Sequence, residues 1–133
     1  MAIVVGYVAT REGRAALKRA AEECLLRNAK LIVISSHRGG SKDFDADEAS
    51  QFEAELARVA RQLQDEGLEH EVRTLVRGND PAEDLISVAE AENADFIVIG
   101  LRRRSPVGKL ILGSNAQRIL LDASCPVLAV KAE

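Results

Sequence analysis

Two hydrophobic periodicities alternate along the chain, and this alternation limits the possible folds more than any other property. Short apolar runs of strand length recur, and charged segments with apolar residues at helical spacing separate them. The apolar runs cover residues 2–8, 31–34, 70–76, 95–100 and 126–130. Nearly continuous apolar strands that alternate with helices are typical of a parallel sheet covered on both faces. The sequence therefore predicts a β-α-β-α-β-α-β-α-β order in one α/β domain over residues 1–133.

Local signals indicate where the helices begin and end. Asp80 and Pro81 supply an N-cap followed by a proline at the first helical position, which predicts a helix from 81 to about 93. A second helix is expected after Asp45, with Gly67 as its C-cap, and it follows a polar loop at 36–43. The remaining helices are predicted at 13–28 and 114–121.

Composition excludes several classes of function. Only 3% of the residues are aromatic and the net charge is -3, so general nucleic-acid binding is not expected. No apolar run approaches the roughly 18 residues of a membrane span, and the first residues lack the basic region of a signal peptide. Cys24 and Cys125 are too few for a disulfide framework, so we expect free thiols in a cytoplasmic protein.

The search for catalytic motifs is negative. The sequence has no phosphate loop of the Gly-x4-Gly-Lys type, no nucleophile elbow and no Gly-x-Gly-x-x-Gly after the first strand. His37 and His70 have no metal-ligand spacing to each other or to a cysteine. We therefore expect a protein that is not an enzyme, with no catalytic residues and no metal site of its own.

A basic segment after the fourth strand is the strongest candidate for a binding site. Arg102, Arg103 and Lys109 lie in it, and Gly113-Ser114 opens the last helix directly after it. Cations beside a helix start with free N–H groups are the components of a phosphate site. The same residues also fit a solvated loop that ends in an ordinary helix cap. The residues alone leave both interpretations open.

The sequence resembles the universal stress protein family over essentially its whole length. The resemblance rests on residues 13–17, 94–100 and 125–130, and above all on the spacing from Gly100 to Gly113-Ser114. It implies a three-layer α/β/α fold of the adenine nucleotide alpha hydrolase-like type, with a five-stranded parallel sheet in the order 3-2-1-4-5. It also implies a homodimer that binds ATP or another adenine nucleotide, with Mg as a companion of the nucleotide, and does not turn it over efficiently.

The resemblance also assigns the residues of the nucleotide site. The adenine is expected near the ends of strands one and two, and the phosphates on the start of the last helix with nearby cations. The implied residues are Val8, Ala9, Thr10, Ser35, Gly100, Arg102, Arg103, Lys109, Gly113, Ser114 and Asn115. Two departures from the family pattern stand out. Arg103 replaces a motif glycine, and Val8 replaces an aspartate.

The alternative is a dimeric interaction module without nucleotide binding, whose arginine loop binds another anion or an acidic partner. Both readings include a homodimer. In the implied strand order the third and fifth strands are the edges, and Glu71 and Arg73 protect only the third. The fifth strand carries no charge before Lys131 and is expected to pair with its copy. The predicted interface residues are Val127, Leu128, Ala129 and Val130.

Overall fold

A computed structural model describes residues 1–8, 10–38, 46–77, 81–101 and 113–132. Its strands and helices alternate in the predicted order. The elements are β1 (Ala2–Gly6), α1 (Arg11–Arg27), β2 (Lys30–Arg38), α2 (Ala46–Asp65), β3 (His70–Arg77), α3 (Pro81–Ala91), β4 (Phe96–Leu101), α4 (Ser114–Asp122) and β5 (Val127–Lys131). No helix in these ranges has the length and apolar character that would let it cross a membrane.

The five strands form one parallel sheet in the order β3-β2-β1-β4-β5. This order confirms the predicted fold class. The chain runs from β1 outward to β3 on one side, returns, and then adds β4 and β5 on the other side of β1. The direction of winding therefore reverses between β1 and β4. In open α/β sheets this reversal point is where ligands bind, beyond the carboxyl ends of the strands.

Two apolar clusters fill the space between the sheet and its helices. One cluster joins β1 and β2 residues such as Val5 and Val33 to Ala20 of α1 and Leu56 of α2. The other joins alternate strand residues to Leu85 of α3 and Ile119 of α4. Because successive side chains of a strand point to opposite faces, α1 and α2 cover one face and α3 and α4 the other.

The second strand is longer than its apolar run predicts. The sequence indicated a loop from residue 36, but β2 continues to Arg38. Its extra residues pair with β3 one by one, His37 beside Val76 and Arg38 beside Arg77. Main-chain hydrogen bonds hold this extension, and they form whether or not the side chains are apolar. The hydrophobic pattern therefore indicated residues 31–34 of the strand and missed its continuation to Arg38.

Candidate functional site

A cleft of about 470 Å³ opens at the carboxyl ends of β1 and β4, at the point where the winding reverses. The first turns of α1, α3 and α4 border it together with the ends of three strands. The described residues that line it are Gly6, Tyr7, Val8, Thr10, Glu12, Gly13, Ile34, Pro81, Ala82, Leu85, Ile99, Gly100, Leu101, Gly113, Ser114, Asn115, Ala116 and Ile119. The cleft thus combines an apolar wall with three helix N-termini.

The start of α1 is closed by its own cap. The hydroxyl of Thr10 accepts a hydrogen bond from the Gly13 N–H at 3.1 Å, and the Thr10 N–H donates to the Val8 carbonyl at 2.8 Å. This turn leaves the Val8 side chain half exposed at the cleft. The Thr10 hydroxyl keeps its own proton, so it can still donate one hydrogen bond to a ligand.

Two glycines allow α1 to lie against the strand ends. A Cβ at Gly13 would overlap the Val8 carbonyl oxygen, and one at Gly100 would overlap the Glu12 carbonyl oxygen. A side chain at either position would therefore push the α1 start away from the sheet. The sequence suggested that Gly100 brings the backbone close to a ligand. The structure gives this glycine a packing role against α1.

The start of α4 differs because its N-cap residue makes no side-chain cap hydrogen bond. Its N-cap is Gly113, which has no hydroxyl or carboxylate to accept from the first N–H groups. A helix leaves the N–H groups of its first turn without partners inside the helix. Ser114 and Asn115 carry these groups, and both residues are exposed and line the cleft. The positive end of the helix dipole lies at the same place, so this start is suited to an anion.

Six of the predicted site residues come together in the cleft. They are Val8, Thr10, Gly100, Gly113, Ser114 and Asn115. Ser35 is fully buried and is not among the described residues of the cleft wall. It alternates with Leu31 and Val33 and so faces α1 and α2, and its hydroxyl has no partner in the described ranges. Ala9, Arg102, Arg103 and Lys109 lie outside the described residues, and their roles stay predictions.

Two polar residues of the cleft were missed by the sequence reasoning. Glu12 follows the N-cap of α1, and Tyr7 follows β1. The Tyr7 hydroxyl donates to Glu55 at 2.6 Å, and Arg14 donates to the same carboxylate oxygen at 3.2 Å. Burial and the hydrogen bond to Glu55 raise the pKa of Tyr7 to about 12. The hydrogen bond from the Tyr7 hydroxyl lowers the pKa of Glu55, and the hydrogen bond from Arg14 lowers this pKa further.

The apolar wall of the cleft comes from β2, α3 and β4. Ile34, Leu85 and Ile99 supply it, and all three are buried members of the second apolar cluster. The same side chains therefore support the sheet and offer a flat apolar surface to a ligand. Among the residues that the structure describes, no three His, Cys, Asp or Glu side chains are grouped as metal ligands.

This fold and cleft define a class, the three-layer α/β proteins that bind ligands where the sheet reverses its winding. The family is shown by comparison of sequences. A family model described as the universal stress protein family matches residues 1–131. The chain therefore belongs to the universal stress protein family.

Relatives agree with this assignment along the full chain. A universal stress protein of Mycolicibacterium smegmatis is 44% identical over 129 residues, which are 97% of this chain and 96% of that protein. The solved universal stress protein of Archaeoglobus fulgidus is 39% identical with a TM-score of 0.80, and the match covers 98% of both chains. A structure of an A. fulgidus universal stress protein in complex with dAMP is 32% identical, with a TM-score of 0.75 and 98% coverage of both.

Proposed function

We propose that this protein binds an adenine nucleotide in the cleft between β1 and β4. The observation that carries the proposal is the open start of α4, which lies beside an apolar wall in the same cleft. A helix N-terminus with free N–H groups favours phosphate, and an apolar wall favours a flat base. The A. fulgidus relative that was solved with dAMP supports this choice of ligand.

In the proposed arrangement the adenine contacts the apolar wall near Val8 and Ile34. The phosphates accept hydrogen bonds from the N–H groups of Ser114 and Asn115. Arg102, Arg103 and Lys109 follow β4 in the sequence, and they add positive charge from the loop before α4. Arginine suits this role because its planar guanidinium can donate two hydrogen bonds to one phosphate.

A Mg ion would accompany a triphosphate ligand. The described part of the cleft offers it a single carboxylate, that of Glu12. Mg demands about six oxygen ligands, so phosphate oxygens and water would have to provide most of them. Such a donor set fits a metal that arrives with the nucleotide better than a resident metal.

We also propose that binding occurs without efficient turnover. The described cleft wall contains no histidine, and the Tyr7 phenol, whose pKa is about 12, stays protonated at neutral pH. A base that activates water works best when its pKa lies near the working pH. Location in the cytoplasm stays a prediction, and the free cysteines Cys24 and Cys125 favour it.

A charge variant at the α4 start tests nucleotide binding. Ser114→Asp places a carboxylate beside the proposed phosphate, while a negative charge in a first helical turn does not unfold the helix. Gln117→Glu adds the same charge one turn later, outside the cleft wall, and serves as the control. Calorimetric titration with ATP, AMP and cyclic AMP should show binding to the wild type and the control. Ser114→Asp should bind at least about tenfold more weakly.

Two results would contradict the proposal. One is a wild type that binds none of the three nucleotides at millimolar concentration, which would favour the interaction module without nucleotide. The other is equal binding by wild type and Ser114→Asp. Thermal unfolding gives an independent measure, because ligand at a hundred times its dissociation constant should stabilise the wild type by about 2.7 kcal/mol.

We further propose a homodimer in which β5 pairs with its copy. In the described sheet β5 pairs with β4 on one side, and its other edge has no strand beside it. Val127 to Val130 are all half-buried, and α4, which precedes β5 in the chain, leaves Leu120 and Leu121 exposed. We expect these two leucines to lie in the same interface. Such an edge invites strand pairing with another chain.

Leu121 gives a cleaner test of the dimer than the strand itself. Leu128 and Val130 pack against the apolar cluster under α1, so a charge there would also disturb folding. Leu121 is 83% exposed, so a charge there should not disturb folding. The control is Leu25, which is 53% exposed and lines a groove between α1 and α2. Leu121→Lys should sediment as a monomer, and Leu25→Lys as a dimer. A wild type that sediments as a monomer at micromolar concentration would refute the dimer.

A further inference from the structure

One carboxylate of the cleft, that of Glu12, makes no ion pair with any residue that the structure describes. Glu12 is the only charged side chain among the described lining residues. Its position in the first turn of α1 follows the Thr10 cap. The neighbouring Val8, half exposed at the same cleft, cannot accept a hydrogen bond through its side chain. The cleft therefore contains a single strong acceptor among N–H donors and apolar groups.

The sheet order places this carboxylate along the cleft. From β2 to β4 the wall residues are Ile34, Gly6 and Gly100, and α4 follows β4 on the far side. Glu12 lies beside the end of β4, because its Cβ is 3.0 Å from the position that a Cβ on Gly100 would occupy. The side chain thus starts between the apolar wall and the open start of α4.

The chemistry of an adenine nucleotide determines which of its groups can lie beside Glu12. Phosphate oxygens carry negative charge and accept hydrogen bonds, so they are repelled by a carboxylate. The ribose lies between base and phosphate, and its two hydroxyls are donors. An acidic side chain that accepts from a ribose hydroxyl is a known solution in other nucleotide-binding α/β folds.

We propose that Glu12 accepts a hydrogen bond from the ribose 2′-hydroxyl and makes the cleft selective for ribonucleotides. This inference rests on the proposed nucleotide binding and adds the sugar specificity to it. Val8 offers the ligand no polar side chain, so Glu12 is the carboxylate of the described cleft wall that can accept from the sugar.

The test compares AMP with dAMP, which lacks only the 2′-hydroxyl and is the ligand of the A. fulgidus relative. The wild type should bind AMP about tenfold or more tightly than dAMP, the effect of a hydrogen bond to a charged acceptor. Glu12→Gln keeps the shape and loses the charge, and it should lower the AMP-to-dAMP affinity ratio several-fold, because a neutral amide oxygen is a weaker acceptor than a carboxylate. Glu12→Ala removes the acceptor and should bring the ratio close to one. Glu22→Gln, on the same helix outside the cleft wall, should keep the wild-type ratio.

Other roles of Glu12 give different results. A carboxylate that only stabilises the α1 dipole would lower the thermal stability of Glu12→Gln and leave the affinity ratio unchanged. A contact with the adenine amino group would weaken AMP and dAMP by the same factor in that variant. A bound cation would make the loss appear only with Mg present. Each of these outcomes overturns the sugar assignment.

A third variant of Glu12 and the wild type complete the experiment. Glu12→Asp keeps the charge on a shorter side chain and should give an intermediate ratio. Equal binding of AMP and dAMP by the wild type refutes the sugar assignment and leaves nucleotide binding intact. No binding of either nucleotide refutes both proposals, so the two failures are distinguishable.

Discussion

Two of the three helix starts that border the cleft, those of α1 and α4, are built in opposite ways. At α1 the Thr10 hydroxyl accepts from a first-turn N–H, and Gly13 packs directly on the Val8 carbonyl. At α4 the N-cap is Gly113, which has no side chain to accept from the first turn. The α1 start is therefore occupied by contacts within the fold. The first residues of α4 line the cleft without a capping side chain at Gly113. The contrast predicts that the α4 start, and not the α1 start, receives the phosphate of a ligand.

The largest expected effect comes from filling the contact under α1. Gly13→Ala forces a methyl group against the Val8 carbonyl, which is backbone and cannot rotate away. Overpacking of this kind should destabilise the protein by about 3 kcal/mol or more. Urea denaturation measures the loss, and Gly113→Ala at the open start is the control, with a change below about 1 kcal/mol. Wild-type stability in Gly13→Ala would contradict the packing described for α1.

Removal of the α1 cap should have a moderate effect. Thr10→Ala leaves the Gly13 N–H without its acceptor and should cost about 1 kcal/mol in the free energy of unfolding. Thr10→Ser keeps the hydroxyl and should recover most of this stability. The cap would be unimportant if both variants unfolded at the same urea concentration.

High pH should weaken the contact that Tyr7 makes with Glu55 of α2. The pKa of Tyr7 is raised from its ordinary value of 10.0 to about 12, first by burial and then by the hydrogen bond to Glu55. A raised pKa means that the contribution is complete below about pH 10 and is lost between pH 10 and 12. Tyr7→Phe should therefore show a weaker fall of unfolding free energy over this range. The fall should not vanish, because burial also raises the pKa of Cys24 to about 12.

The smallest effect on stability, and the sharpest on function, is expected from closing the open start. Gly113→Ser gives α4 the hydroxyl that Thr10 gives α1, and should stabilise the protein by a few tenths of a kcal/mol. The new hydroxyl competes with a phosphate for the same N–H groups, so nucleotide affinity should fall. Higher stability with unchanged affinity would show that the ligand does not use this helix start.

The fold could be predicted because burial controls it. Apolar runs on β1, β2 and β4 determined which segments enter the sheet, and helical spacing determined the covering elements. The extension of β2 through His37 and Arg38 could not be predicted in this way. It depends on main-chain pairing with β3, which leaves no trace in side-chain polarity.

The site was only partly predictable for a different reason. The Gly113-Ser114 signal is local, because a glycine followed by polar residues marks a helix start, and α4 does begin there. Glu12 and Tyr7 belong to the cleft only because α1 packs against Gly100 and β1 ends beside α1. Tertiary packing, and not the local sequence, therefore decides that these two residues line the cleft. Ser35 shows the reverse case, since its strand position suggested the cleft, but it is fully buried and is not among the described lining residues.

Amide chemical shifts measured during a nucleotide titration test the central claim most directly. The claim is that the open start of α4 receives the phosphate of an adenine nucleotide. AMP and inorganic phosphate should both shift the amide signals of Ser114, Asn115 and Ala116, and adenosine should not. If AMP leaves these signals unchanged and shifts residues elsewhere, such as those of the groove between α1 and α2, the α4 start is not the phosphate site.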